Sequence, residues 1–236
     1  MADARNGEAT ANAAPRDPEL AALGLLTTSG VSDALDRLGI AGQCLGIGPL
    51  DRAFRLVGRA FTVRYGPVGT DGGTVGDYID DLGPDQVVVL DNAGRLDATV
   101  WGDLLTITAS RRRVAGTVID GVCRDVDRAL ALSYPIYSRG AWMRTGKDRV
   151  RVDEIGGAVS IGGVRVMAGD ALLGDGDGVV AVPRGRLAEV LQVAGRIEAA
   201  ESRIRAALDR GAGLRDARAQ VGYHALQTQV RNPSGR

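Results

Sequence analysis

Two short apolar runs decide what this chain can become. QVVVLD at 86–91 and GTVID at 116–120 are unbroken rather than alternating, the pattern of strands covered on both faces, and each is followed by a stretch with helical spacing. Strands of that kind belong to a sheet with crossover helices, so the central third reads as α/β. VGRAFTVRY at 57–65 supplies a strand before them and PIYS at 135–138 one after. GTVGDYIDDLG reads as a short helix ending at Gly83-Pro84, and WGDLLTITASRR and RDVDRALAL read as the helices between strands.

The flanks have a different texture. Residues 1–17 are Ala-rich and aperiodic, which predicts a mobile extension, and a helix is expected over 19–26. SGVSDALDRLG predicts a capped helix, with Ser29 or Ser32 giving the N-terminal oxygen, Val31, Leu35 and Leu38 the apolar stripe, and Gly39 the stop. Beyond Gly146, short alternating strands joined by Gly-Gly and Asp-Gly turns predict a strand-rich layer. A long helix over about 186–210 closes a single domain of 18–210, and 211–236 reads as a loosely ordered tail. The chain of 236 residues, 44% hydrophobic, is long enough to bury a core without staples.

Scarcity limits the chemistry. His224 is the only histidine and Lys147 the only lysine, which excludes a Ser-His-Asp triad, a Cys-His pair and a histidine-rich zinc site, and leaves a Schiff base one loop amine. Cys44 and Cys123 form no CxxC and read as small core residues of a reducing compartment. Twenty-nine basic residues balance twenty-nine acidic ones, so no global field gathers nucleic acid or an anionic membrane. With no run near the roughly 18 apolar residues a membrane helix needs, and no apolar signal segment at the start, a cytoplasmic protein is expected. Carboxylates, arginines and backbone amides remain, a set suited to a hard cation such as magnesium.

Three of these polar residues fall at one edge. In a right-handed strand-helix-strand path, each strand's C-terminal end and the next helix's N-terminus share the edge where ligands collect. Asp103 opens the helix after QVVVLD; Arg124 and Asp125 open the helix after GTVID. The free N–H groups of 102–105 offer a seat for a carboxylate, Arg124 a bidentate clamp, and Asp125 a metal ligand whose other positions water and substrate would fill. An acid in a first helical turn also serves the helix dipole, so spacing alone leaves a purely structural role open.

The ordered blocks SDALDRLG, GRAFTVR, LDATVWGDLL, VIDGVCRDVD, PIYSRG and GGVRVMAGDALLGDGDGVVAVP, spanning about 28–210, resemble the 4-hydroxy-4-methyl-2-oxoglutarate aldolase family, which also holds the regulators of ribonuclease E activity. The most specific element is an Asp-x20-Arg-Asp signature, matched by Asp103, Arg124 and Asp125. The resemblance implies an αββα sandwich with a strand-rich C-terminal layer and a long C-terminal helix. It implies Mg2+ or Mn2+ held directly by Asp125, with Asp103 orienting a metal-bound water. Arg124 and the backbone at Gly102, Leu104 and Leu105 would bind a 2-oxo acid. It further implies a homotrimer or homohexamer with sites between subunits, where Glu201 or Glu198 of a neighbour's C-terminal helix joins in proton transfer. The activity implied is retro-aldol cleavage of a 4-hydroxy-2-oxo acid to pyruvate, with oxaloacetate decarboxylase activity in the same site. The alternative is a non-enzymatic regulator that binds a ribonuclease; a methyltransferase is disfavoured because no glycine-rich nucleotide loop follows a first strand.

Other motifs read as structure. GDGDGVV lacks the further ligands of a calcium loop and predicts a tight strand turn, GIGPLD predicts a turn, and Arg111, Arg112 and Arg113 sit where a helix end favours cations. Trp101 and Trp142 read as core or interface residues, and AWMRTGKDR as a candidate wall for the far side of the pocket.

Overall fold

The computed structural model describes residues 17–70 and 75–223. Most of the expected N-terminal extension, and the tail from His224 onward, lie outside the described residues. In chain order the elements are α1 (Pro18–Gly24), α2 (Thr28–Leu38), β1 (Gly48–Pro49), β2 (Leu56–Pro67), a 3-10 helix (Asp77–Asp81), β3 (Gln86–Thr99), α3 (Asp103–Arg111) and β4 (Gly116–Cys123). There follow α4 (Val126–Ala131), β5 (Ile136–Ala141), β6 (Val150–Ile155), β7 (Val159–Ile161), β8 (Val164–Val166), β9 (Ala171–Asp175), β10 (Gly178–Val182), α5 (Leu187–Asp209) and α6 (Leu214–Val221).

One mixed sheet runs β1-β5-β4-β3-β2-β9-β10, with β6 on the far half of β2. Its centre, β2 to β5, is parallel, as the unbroken apolar runs require; β9, β10, β1 and β6 join antiparallel. The sheet curls until its edges nearly meet. Gly48–Pro49 pairs with Tyr137 and Ser138 on β5, while Gln43 bridges Val180 and the Cys44 N–H donates to the Val179 carbonyl on β10.

Alternation along β2 assigns the layers. Leu56 and Ala60 point inward with Val87, Val89, Val118 and Leu172, onto a core closed by the β7–β8 hairpin. Phe61 and Val63 point outward with Val88, Leu90 and Ile119, under α3 and α4. At the other end Val57 points outward with Leu173, Val180 and Val182, under α1, α2 and α5. Helices outside, two facing stretches of curled sheet within: this is the expected α/β sandwich, with its strand-rich C-terminal region and long final helix.

Several local readings change. The cap of α2 is Thr27, whose hydroxyl accepts the Gly30 N–H, rather than Ser29 or Ser32; at the next residue, the Thr28 N–H and hydroxyl are claimed by Asp175. Gly39 does end α2, at φ +65°. The helix expected in GTVGDYIDDLG is only a 3-10 turn. β3 runs eight residues past QVVVLD to Thr99, with register breaks after Asp91 and Arg95 around the left-handed Ala93 and Gly94. Leu214–Val221, within the stretch read as loosely ordered, forms α6 and packs Ala217 against Ile204 and Ala207 of α5. The GDGDGVV turn is as expected, joining β9 to β10. Both cysteines are free and buried, and burial, with the Asp120 charge nearby, pushes the Cys44 thiol up to about 12.

Candidate functional site

Asp103, Arg124 and Asp125 meet where β3 and β4 end. α3 begins at Asp103 with Gly102 as its cap residue, and the first turn lacks the usual side-chain oxygen on Gly102. A carboxylate from the next crossover takes that place: Asp125 Oδ2 accepts the Asp103 N–H at 3.0 Å. The Arg124 N–H donates to the Trp101 carbonyl at 3.0 Å, tying the two crossovers together at the backbone. Arg124 Nε lies 3.4 Å from Asp125 Oδ2, with both side chains about two-fifths exposed.

Two features of the backbone make this possible. Asp125 adopts φ +56°, ψ +43°, a left-handed conformation that turns its side chain back toward α3 and strains any residue with a Cβ. Gly102 lets them close in, because a Cβ there would stand 2.8 Å from Asp125 Oδ2 and 3.1 Å from Arg124 Nε and one of these side chains would have to shift. Beneath the site Trp101 is 1% exposed, stacks on Tyr134 at 6.2 Å and donates its indole N–H to the Thr106 hydroxyl. Trp101 is therefore core, whereas Trp142 is exposed.

The expected seat is partly occupied by the protein itself. The Leu104 N–H is taken by Asp103 Oδ1 at 2.8 Å and the Thr106 N–H by the Gly102 carbonyl. Leu105 has the N–H of this turn that meets no acceptor among the described residues.

Three hollows surround the cluster. One of about 340 Å³ is lined by Asp103, Asp125, Asp127 and Arg128. A small cleft of about 130 Å³ lies over Trp101, Gly102, Asp103 and Arg124. It shares Val75, Leu104, Leu105 and Thr145 with a third, of about 500 Å³. Val75 and Gly76 were missed by sequence reasoning, since nothing in GTVGDY marks it as a wall. Asp127, two residues past the expected metal ligand, carried a signal in its spacing. AWMRTGKDR does contribute Thr145 and Lys147 to the far side.

Glu201 lies elsewhere in the chain. It sits on α5, where its carboxylate accepts from Tyr223 Oη at 3.0 Å and from Arg205 at 3.3 Å, and Glu198 pairs with the same arginine. No group of three His, Cys, Asp or Glu is placed to hold a metal ion among the described residues. No helix of the described residues is long and apolar enough to cross a membrane.

An arginine and two carboxylates gather at the open end of the parallel strands, above the buried stack of Trp101 and Tyr134, and form the candidate site. The chain belongs to the RraA-like Aldolase/RraA family, whose model matches residues 28–181. It is 40% identical over 196 residues to Protein DlpA of Legionella pneumophila, covering 82% of this chain but only 32% of that longer protein. It is 34% identical over 191 residues to a Halalkalibacterium halodurans protein named "Putative 4-hydroxy-4-methyl-2-oxoglutarate aldolase", covering 80% of this chain and 89% of that one. Among solved structures, Streptomyces coelicolor RraAS2, described as an unusual member of the RNase ES inhibitor RraA protein family, is similar with a TM-score of 0.74 and 28% identity, over 80% of this chain and 98% of that one.

Proposed function

We propose that the chain is a divalent-metal-dependent lyase that cleaves a 4-hydroxy-2-oxo acid to pyruvate, with oxaloacetate decarboxylation in the same site. The observation that carries this reading is the single contact point at Asp125 Oδ2, which joins Arg124 to the first turn of α3. The aldolase name of the Halalkalibacterium halodurans relative supports it.

The donors suit a hard, largely hydrated cation. Asp103 and Asp125 face one open hollow, and Asp125 Oδ1 receives no protein hydrogen bond among the described residues. Asp125 would hold Mg2+ or Mn2+ directly, with Asp103 beside it. When bound, the cation would supply positive charge for the oxygen on which electrons collect.

The protein's own groups account for the rest. Arg124 and the Leu105 N–H bind the carboxylate and 2-oxo group of the substrate, and the Leu104 N–H joins them once Asp103 swings away. As the C3–C4 bond breaks, the 4-hydroxyl proton leaves and the electron pair passes from C3 onto the 2-oxo oxygen, giving the enolate of pyruvate. The Arg124 guanidinium stabilises that charge more than the ground-state carbonyl. Asp103 Oδ1, freed from Leu104, holds the water that carries the proton. In the homotrimer or homohexamer that we expect, Glu201 of a neighbouring copy is the candidate final proton acceptor.

A pyruvate-release assay on 4-hydroxy-4-methyl-2-oxoglutarate and oxaloacetate, with and without chelator, tests this. Activity lost in Arg124→Ala, Asp125→Ala and chelator is the expected result; full activity in Asp125→Ala, or indifference to chelator, sinks the metal assignment. The similarity to RraAS2 supports a second reading, regulation of a ribonuclease by surface contact. Inhibition of a ribonuclease by protein that releases no pyruvate would establish that reading instead.

A further inference from the structure

We infer that Asp103 is a built-in competitor for the substrate's seat, so that the 2-oxo acid binds only after a divalent cation has drawn the Asp103 carboxylate away. This rests on the reading above, in which Asp125 holds the cation and the cleft at Arg124 holds the carboxylate and 2-oxo group. At the start of α3 the N–H groups of Asp103, Leu104 and Leu105 could serve an anion. Two of them are closed by carboxylates of the chain itself: Asp125 Oδ2 accepts the Asp103 N–H at 3.0 Å, and Asp103 Oδ1 accepts the Leu104 N–H at 2.8 Å. Arg124, the other partner for an anion, has its Nε 3.4 Å from the same Asp125 oxygen. One guanidinium against two carboxylates leaves the cluster negative, so an arriving carboxylate meets a seat that is both occupied and of its own sign.

The two closures are unequal. Asp125 reaches α3 from another crossover, and its left-handed backbone holds the carboxylate there as the helix cap. Asp103 bonds only to the N–H of the next residue, so a single side-chain rotation releases it while Asp125 still caps the helix. Its place also suits it to move. Asp103 lines both the cleft of about 130 Å³ over Arg124 and the hollow of about 340 Å³ that holds Asp125. Turned out of the first, its carboxylate enters the second.

What it meets there sets the order of binding. A substrate carboxylate that displaces Asp103 from the Leu104 N–H exchanges one charged acceptor for another and gains no hydrogen bond. The displaced carboxylate arrives in a hollow already lined by Asp125 and Asp127, with Arg128 as its cation among the described residues. Without a bound dication the exchange therefore adds like-charge repulsion. With a dication on Asp125, the same rotation carries Asp103 toward opposite charge and leaves the Leu104 and Leu105 N–H groups open beside Arg124. Linkage then requires the acid to tighten the dication by the same factor by which the dication tightens the acid.

Calorimetry on the full chain tests this, with pyruvate titrated once in magnesium and once in chelator, and with saturation-transfer NMR where binding is weak. Wild type should bind pyruvate about thirtyfold more weakly in chelator than in magnesium, a factor within the range for linked sites. The decisive measurement is Asp103→Ala in chelator. That variant uncovers the Leu104 N–H and removes a charge, and should bind pyruvate about fivefold more tightly than wild type in the same buffer. Loss of an acid that only stabilised the helix, or only served the chemistry, would produce no such gain. Asp103→Asn, which keeps an oxygen for the Leu104 N–H, should gain less. Asp127→Ala, which removes a charge from the same hollow without touching the seat, should stay within about twofold of wild type. No gain in Asp103→Ala, or an equal gain in Asp127→Ala, overturns the inference. Wild-type affinity that is the same in magnesium and in chelator, while cleavage stays sensitive to chelator, overturns it and leaves the lyase reading in place. No pyruvate binding by wild type in magnesium overturns both.

Discussion

Two aspartates at helix starts, Asp125 and Asp175, behave in opposite ways. Asp175 is buried at the end of β9, and its carboxylate accepts the Thr28 hydroxyl at 2.6 Å, the Thr28 N–H at 2.8 Å and the Asp177 N–H at 3.0 Å. Burial alone would raise its pKa, but the bonds from Thr28 and Asp177 outweigh it and hold the carboxyl below its ordinary value. Asp125 is two-fifths exposed, accepts one backbone N–H, and is held in a left-handed backbone. The first is saturated by the fold and pins α2 to the sheet. The second accepts a single N–H in a left-handed backbone, which leaves its other oxygen for the cation proposed above.

Substitutions can break that contrast, and the largest expected effect is on chemistry. Arg124→Ala should lower kcat/KM for pyruvate release by about 10²–10³ while shifting stability by no more than about 0.5 kcal/mol, read from steady-state kinetics beside urea unfolding. At the saturated acid the balance reverses. Asp175→Ala leaves the Thr28 hydroxyl and N–H without an acceptor, and should destabilise by about 2–3 kcal/mol in urea with kcat unchanged for the folded fraction. Gly102→Ala drives a methyl into the Asp125 and Arg124 side chains and should reduce kcat/KM about tenfold, an effect that Gly102→Ser should reproduce; normal activity in both would mean that the two side chains can move without consequence. Asp125→Gly should leave stability within about 0.5 kcal/mol, because relief of the left-handed strain offsets loss of the α3 cap, while abolishing chelator-sensitive activity.

The smallest effect is in acid. The carboxyls of Asp175 and Asp17 both sit below their ordinary 3.8, Asp17 through the Arg59 guanidinium and the Glu19 N–H against the opposing effect of burial. Their stabilisation is therefore complete above the unfolded value near 3.8 and is lost as pH falls through the lower folded values. Urea midpoints measured between pH 5 and 2 should fall more shallowly in Asp175→Asn than in wild type; parallel curves would remove Asp175 from the account.

What the sequence revealed and concealed follows the range of the forces involved. The strands at 86–91 and 116–120 were legible because both faces of each are buried, and α2 because its stripe and its Gly39 stop are local signals. The α2 cap was misread because Ser29, Ser32 and Thr27 are chemically alike, and which one caps is decided by Asp175, 147 residues from Thr28. The extension of β3 was hidden because DNAGRLD has turn composition, and only pairing with β4 keeps it in the sheet. At the site, spacing brought Asp103, Arg124 and Asp125 to one edge. Nothing local disclosed that Asp125 would cap α3, that Asp103 would cover the Leu104 N–H, or that Val75 would stand opposite Leu104. Those are facts of tertiary approach.

The seam formed by Gln43, Cys44 and Gly48–Pro49 also bears on how the chain fares among its own copies. A sheet that ended at β5 and β10 would leave two unpaired fringes of N–H and C=O groups, each a template for strand addition. Here one short segment occupies both fringes at once. Local opening of that segment would bare both, so the exposure of these two edges is set by the residence time of a few residues, and amide exchange at Cys44 and Leu50 is where it would first be read.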